Sequence, residues 1–172
     1  THNVSSAASD VYKRQLLTEE GRKTALNIVR KHRLWEVFLV EKLNFNWSEV
    51  HEVAEQLEHI KSKKLTNELD KFLDYPTKDP HGDPIPNTAG FIKYTTKALL
   101  SDLKVGDKGT FVGVKDSSSA FLKFLDKRNI ALGSSIEILH IEDFDDSLHI
   151  GLDESNLTIS MKSANNIYVT KQ

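Results

Sequence analysis

Apolar residues along the chain keep a helical period up to about residue 75 and a period near two after about residue 101. In the first stretch Leu26, Val29, Leu34, Val37, Phe38 and Leu43 recur at helical spacing. Thr18 reads as the N-cap, and Gly21 stands where a capping box would need Glu or Gln, so only the cap is expected. The run is longer than an ordinary helix, which points to a break near residues 32–34. Asn44-Phe45-Asn46 reads as a turn, and Ser48 as the cap of a second helix with Val50, Val53, Leu57 and Ile60 on one face. Ser62 opens a third helix with Leu65, Leu69, Phe72 and Leu73 as its buried stripe, ended by Tyr75-Pro76. Residues 80–86 carry three prolines and form a rigid loop, so His81 reads as a loop residue.

From residue 101 the apolar runs are short and β-rich: Val105, then Thr110, Phe111, Val112 and Val114, then Ile136, Ile138, Leu139 and Ile141, then Leu148, Ile150 and Leu152. Thr158, Ile159 and Met161, and last Ile167, Tyr168 and Val169, complete the series, with glycines between the runs. A helical turn at 120–127 interrupts them. Five or so short strands in this length suggest a small closed or half-closed barrel. His140 and His149 are singletons in strand-like segments and read as half-exposed packing.

Composition narrows the function classes. Lys and Arg total 23 against 25 for Asp and Glu, so the chain has no overall basic field to hold phosphate backbones. The absence of cysteine removes disulfides, thiolate metal sites and Cys nucleophiles, and leaves His and carboxylates for any ligation. No apolar run approaches a membrane span and no basic region followed by an apolar one opens the chain, so a soluble, cytoplasmic protein without a membrane partner is expected.

The chemistry concentrates in residues 51–59. At about 100° per residue, His51, Glu55, Glu58 and His59 fall on one face of a helix and the apolar residues on the other. His32 and Glu36 form a second pair at i, i+4 upstream. Neutral imidazole and ionised carboxylate are what a divalent transition metal takes from a helix. The plain alternative is a solvated face carrying Glu52, Glu55, Glu58, Lys61 and Lys63, and three histidines in register with three glutamates weigh against it.

Gly21-Arg22, Arg30-Lys31-His32-Arg33-Leu34, Val50-His51-Glu52, Glu58-His59 and Gly82-Asp83-Pro84-Ile85-Pro86 occur in the order and spacing of the iron- and manganese-dependent repressors of the diphtheria toxin repressor family, which residues 16–86 resemble. Residues 101–172 resemble, more weakly, the SH3-like domain of ferrous-iron-transport A type that many members carry. The resemblance implies an α+β chain: a non-native or disordered tail at 1–15, an all-α metal-binding and dimerisation domain at 16–90, a linker at 91–100 and a small SH3-like β-barrel at 101–172. The tail string Asp10-Val11-Tyr12-Lys13-Arg14-Gln15 resembles the translation of a transposon end used in sequencing libraries, and Leu16-Leu17-Thr18 resembles the last strand of a wing. A fragment lacking the family's N-terminal winged helix-turn-helix is therefore expected.

The resemblance also implies roles for single residues. His32, Glu36 and His51 match the ligands of an ancillary metal site, and Glu58 and His59 match ligands of the primary, regulatory site. Glu55 stands where iron-sensing members place Cys and manganese-sensing members Glu, which favours Mn²⁺ over Fe²⁺ because a carboxylate is harder than a thiolate. Ligands of the primary site from the winged domain are missing, so that site is expected to be incomplete. Members that close the ancillary site from the SH3-like domain use a Glu and a Gln in the segment matching 117–120, where this chain departs from the pattern with Ser117 and Ala120, Asp116 lying nearby. The implied activity is metal-dependent repression by a homodimer that grips a DNA operator in the intact protein but not through this chain alone, with no catalysis. Dimerisation would draw on Trp35, Phe38, Leu39, Val40, Phe45 and Trp47. Two other classes compete: a di-metal helical-bundle enzyme, which expects Glu-x-x-His on each of two helices, a pair this chain does not have, and a non-catalytic adaptor built on the barrel.

Overall fold

The computed structural model describes residues 18–171. The stretch 1–15 read as a tail, the wing-like Leu16 and Leu17, and Gln172 lie outside the described residues.

Helix α1 (Glu19–Leu43) starts where the Thr18 side chain accepts a hydrogen bond from the Gly21 amide at 3.1 Å, with Glu19 and Glu20 in its first turn. It runs without the expected break at 32–34, since no Gly or Pro interrupts residues 22–43 and the stripe of Arg30, Leu34, Val37 and Leu39 stays buried throughout. Asn44 ends it in the left-handed region, φ 58°, with its amide on the Leu39 carbonyl.

Helix α2 (Val50–Leu57) is capped by Glu49 rather than by Ser48, and without a side-chain cap bond. The reason is the preceding turn, which closes from the Glu49 amide to the Asn46 carbonyl while Glu49 Oε1 takes the Asn46 amide, leaving Ser48 inside it. Leu39, Val50 and Ala54 form the α1–α2 contact. Helix α3 (Lys63–Phe72) is capped by Ser62 as expected. Leu69 and Leu73 of its stripe pack with Leu34, Val37 and Ile85, but Leu65 and Phe72 stay exposed beside Trp35 and Phe38. A buried Arg30–Asp70 pair at 2.6 Å ties α1 to α3.

Strands β1 (Ala98–Leu99), β2 (Lys108–Val114), β3 (Ser135–Ile141), β4 (Leu148–Leu152), β5 (Ser155–Ile159) and β6 (Ile167–Lys171) form one antiparallel sheet in the order β1-β6-β2-β3-β4-β5. The stretch 91–100 read as a linker therefore contains β1, which pairs with β6, and the sheet begins at Ala98 rather than at 101. Val105 lies exposed in the turn before β2 instead of in a strand. Met161 begins the short helix α5 (Met161–Ala164), because Ser160 caps it. Helix α4 (Ser119–Asp126), capped by Ser118, buries Leu122 and Leu125 against Phe111, Ile136, Ile138, Ile150 and Val169.

The two halves are docked at two places. Trp47, from the α1–α2 turn, packs on the sheet's core and donates its Nε1–H to Asp126 at 2.7 Å. The loop carrying His81 lies against β2, where the Val114 amide donates to the His81 carbonyl at 3.1 Å. Gly82 makes that approach possible: its φ is +87°, and a Cβ would stand 2.0 Å from the Val112 carbonyl oxygen.

Candidate metal centre

Spacing by four on α1 places His32 and Glu36 on one face, and the first turn of α2 brings His51 across to them. His32 Nε2 lies 3.0 Å from Glu36 Oε1 and 3.2 Å from His51 Nδ1, and His51 Nδ1 lies 3.5 Å from the same Glu36 oxygen. Ligand atoms about 2.1 Å from one ion stand about 3.0–3.4 Å from each other, so this triangle has the dimensions of a coordination face. The imidazoles of His32 and His51 meet edge to face with centroids 4.8 Å apart. The donor atoms of the residues present therefore fit a divalent ion.

Glu36 is buried, and a second imidazole system reaches its other oxygen. His81 Nδ1 lies 3.6 Å from Glu36 Oε2, while its Nε2–H donates to the Trp47 carbonyl at 2.8 Å. A carbonyl can only accept, so this bond fixes the proton on Nε2 and turns Nδ1 towards Glu36. Asp79 completes a buried Glu36–Asp79–His81 group. Its Oδ1 already accepts the His81 and Asp83 amides at 2.8 and 3.0 Å, and its Oδ2 faces Arg33 Nε at 3.3 Å, so Asp79 organises the loop. A cavity of about 160 Å³ lies among these groups, and Val114, Lys115 and Ser117 line its sheet side. Asp116 does not line this cavity, and its Oδ1 accepts the Ser118 amide at 2.8 Å.

His32 Nδ1 lies 2.7 Å from Glu58 Oε2. A carboxylate behind a ligating imidazole fixes its tautomer and raises its basicity, so with Nδ1–H donating to Glu58 a neutral His32 would offer the Nε2 lone pair to an ion between Glu36 and His51. Of the residues singled out in the sequence, the structure thus brings together His32, Glu36, His51 and Glu58. Glu55 and His59 are exposed and belong to neither candidate ligand group. Helix α2 stops at Leu57, so His59 and Ile60 leave the helical face on which the periodicity had placed them. His81, read as a loop residue, is the member that sequence reasoning missed. Its spacing in the chain carries no ligand pattern, and only its position between Pro80 and Pro84 hinted at a held conformation.

The electrostatics follow from burial against pairing. Burial pushes the Glu36 carboxyl up, and its hydrogen bonds to His32 and His81 reverse this and hold it at about 2. Burial acts to lower His32 and His81, but bonds and charges from Glu36, with Glu58 for His32 and the Trp47 carbonyl for His81, raise both above the ordinary value. Asp79 is pushed up to about 6 by burial and then by the Glu36 charge. The buried Glu36 carboxylate beside these imidazoles is an arrangement that takes up protons or a divalent cation in the same place.

Comparison with known proteins gives this centre its setting. Residues 18–87 match the iron dependent repressor, metal binding and dimerisation domain, and residues 98–171 match the FeoA domain. The iron-dependent repressor IdeR of Mycobacterium tuberculosis is 46% identical over 70 residues, which are 41% of this chain and 30% of that protein. A solved manganese-dependent transcriptional repressor in complex with manganese is similar at 34% identity and TM-score 0.85, over 91% of this chain and 75% of the other. A second manganese-dependent transcriptional repressor structure is similar at 33% identity and TM-score 0.83, over 96% and 93% of the two chains. The chain spans less than half the length of the curated relatives it matches. With both domain models matched in sequence and solved repressors matched across both halves, the chain belongs to the diphtheria toxin repressor family of iron- and manganese-dependent regulators.

Proposed function

We propose that this chain is the metal-sensing and dimerising part of a metal-dependent transcriptional repressor, in which His32, Glu36 and His51 hold one Mn²⁺ or Fe²⁺ ion with His81 behind them. The observation that carries the reading is the buried Glu36 carboxylate, which faces imidazoles from α1, from α2 and from the loop docked on the sheet. A buried anion needs a compensating charge, and a divalent ion supplies it while tying those three elements together. Glu36 orients the donors, Glu58 fixes the tautomer of His32, and the Trp47 carbonyl fixes that of His81. Glu55, a carboxylate where iron-sensing members place a thiolate, favours Mn²⁺ over Fe²⁺.

Glu55, Glu58 and His59 are, on this reading, ligands of a second ion completed by a DNA-reading domain. Their position at the open end of α2 supports it. The functional division is a helical part at 16–90, a connection at 91–100 whose last residues already pair into the sheet as β1, and an SH3-like part at 101–172. The family matches over 18–87 and 98–171 support a division there. The exposed apolar face of Trp35, Phe38, Leu65 and Phe72 is assigned to a second copy of the chain. A net charge of −2 supports operator contact through the reading domain and not through these residues. No described helix is long and apolar enough to cross a membrane, and the reading places the protein in the cytoplasm as a regulator without turnover.

Calorimetric titration with Mn²⁺ tests the centre directly. One tight equivalent in the chain, lost in Glu36→Gln and His51→Ala, is expected. Uptake unchanged in both folded variants would remove the assignment.

A further inference from the structure

The outer face of the sheet carries a second pair of histidines, remote in sequence and in structure from the helical centre. Strand pairing puts His140 of β3 directly opposite His149 of β4, and the rings stand 5.7 Å apart between centroids at 41°. This juxtaposition depends on an irregularity. Ile136 and Ile138 are buried, so strict alternation would turn His140 inward as well. The register shifts between Ile138 and His140, Leu139 takes up the extra position, and His140 emerges on the exposed side beside His149. A bulge that re-aims a side chain is a feature of a strand, not a defect in it.

The third strand holds one of the two rings. Thr158 of β5 pairs with His149, and its Oγ1 lies 3.0 Å from His149 Nδ1. When Nδ1–H donates to that hydroxyl, Nε2 keeps its lone pair for a ligand. Two imidazoles sharing one ion at about 2.0–2.1 Å hold their centroids about 5 Å apart, a distance that a small rotation of the exposed His140 ring reaches. The adjoining turn carries Glu142, Asp143, Asp145 and Asp146, a field that attracts cations and repels anions.

We propose that His140 and His149 form a two-histidine chelate for one divalent ion of the Ni²⁺, Cu²⁺ or Zn²⁺ class, with Thr158 holding His149 in its ligating tautomer. Imidazole donors without a carboxylate in the pair select these borderline ions over Mn²⁺. The site is distinct from the helical centre: Cu²⁺ fits the donors of both, and Mn²⁺, which two imidazoles without a carboxylate hold poorly, separates the two.

The full chain, isotope-labelled, is titrated with Cu²⁺ alone and with Mn²⁺ alone while amide resonances are followed for paramagnetic broadening. Cu²⁺ is expected to broaden the amides around His140, His149 and Thr158, and Mn²⁺ to leave them sharp. His140→Ala and His149→Ala should each weaken Cu²⁺ at this face by about 100-fold, because the second imidazole of a preformed pair acts at high effective concentration. Thr158→Val should weaken it by about tenfold. All three positions lie on the sheet's outer face, and unshifted core amides verify that the variants fold. Single-histidine variants that bind Cu²⁺ as the parent does, or broadening absent from β3, β4 and β5, overturn the chelate. Equal affinity in Thr158→Val overturns the role given to that hydroxyl.

Discussion

Among the described residues, the buried polar side chains Arg30, Glu36, Asp70, Asp79 and His81 all belong to the helices and the loop after them, whereas the sheet encloses one apolar cluster from Leu100 to Val169. The helical half splits its apolar contacts between two smaller clusters and leaves Leu65 and Phe72 in solvent. Burial of apolar area, worth about 25 cal/mol per Å², stabilises the sheet without ligand or partner. Buried ion groups stabilise only when every member is paired, so on the proposed reading the helical half is the part on which metal, protons and a second copy act. The proposed sensing role needs such a responsive region and a firm one to work against. Here the firm one meets the responsive one through the Gly82 loop and Trp47.

The contrast can be broken most sharply at Glu36. Glu36→Gln leaves three imidazoles without their anion, and removing one partner from a buried ion group costs about 3–5 kcal/mol. Mn²⁺ affinity should then fall by at least about 100-fold by calorimetry. Sheet amides should keep their protection in hydrogen exchange, and loss of sheet protection would show that the halves are not separable in this way. Gly82→Ala attacks the contact between them instead. A Cβ cannot occupy its 2.0 Å space, and the loop must lift from β2 at a cost of about 2 kcal/mol. That cost lowers the thermal midpoint by about 4–8 °C, with a parallel loss of metal affinity as His81 moves.

Glu58→Gln frees the tautomer of His32 and should weaken Mn²⁺ by about tenfold or somewhat more, as for other groups behind a ligand. Protons sharpen the comparison more gently. His32 and His81 are raised above 6.5, so in the metal-free chain their contribution to stability is complete below that pH and is lost as the pH climbs through the raised values. The same protons compete with metal, so the rise in thermal midpoint on adding Mn²⁺ should grow from pH 6.5 to about 8.5. A metal-induced rise that is flat over this range would contradict the placement of the ion among these histidines. The smallest effect belongs to His59, exposed beyond the end of α2. In this chain by itself, His59→Ala should leave Mn²⁺ affinity within about twofold, which the same titration reads.

Much of the helical region was legible because its signals are local. The Thr18 and Ser62 caps, the turn at Asn44 and the i, i+4 pair of His32 and Glu36 each depend on residues within one helical turn. Where a neighbouring turn competed, the local reading failed. Ser48 lost the cap to Glu49, and the 51–59 row ended before His59 because the helix stopped at Leu57. Leu65 and Phe72 carry the periodicity of buried residues and yet are exposed, since periodicity marks a face without saying whether this chain covers it. The role of His81 was not legible, since its partners Glu36 and Trp47 lie 45 and 34 positions away.

The order of residues by itself determined the donor chemistry, oxygen and imidazole with no sulfur, and which two helices offer it. Only the folded arrangement decided that Glu36 is the shared anion, that Glu58 stands behind His32, and that His81 enters from a loop pressed against β2. Helix periodicity has a range of a few residues. A coordination face of about 3 Å joins atoms from segments whose spacing in the chain carries no trace of their meeting.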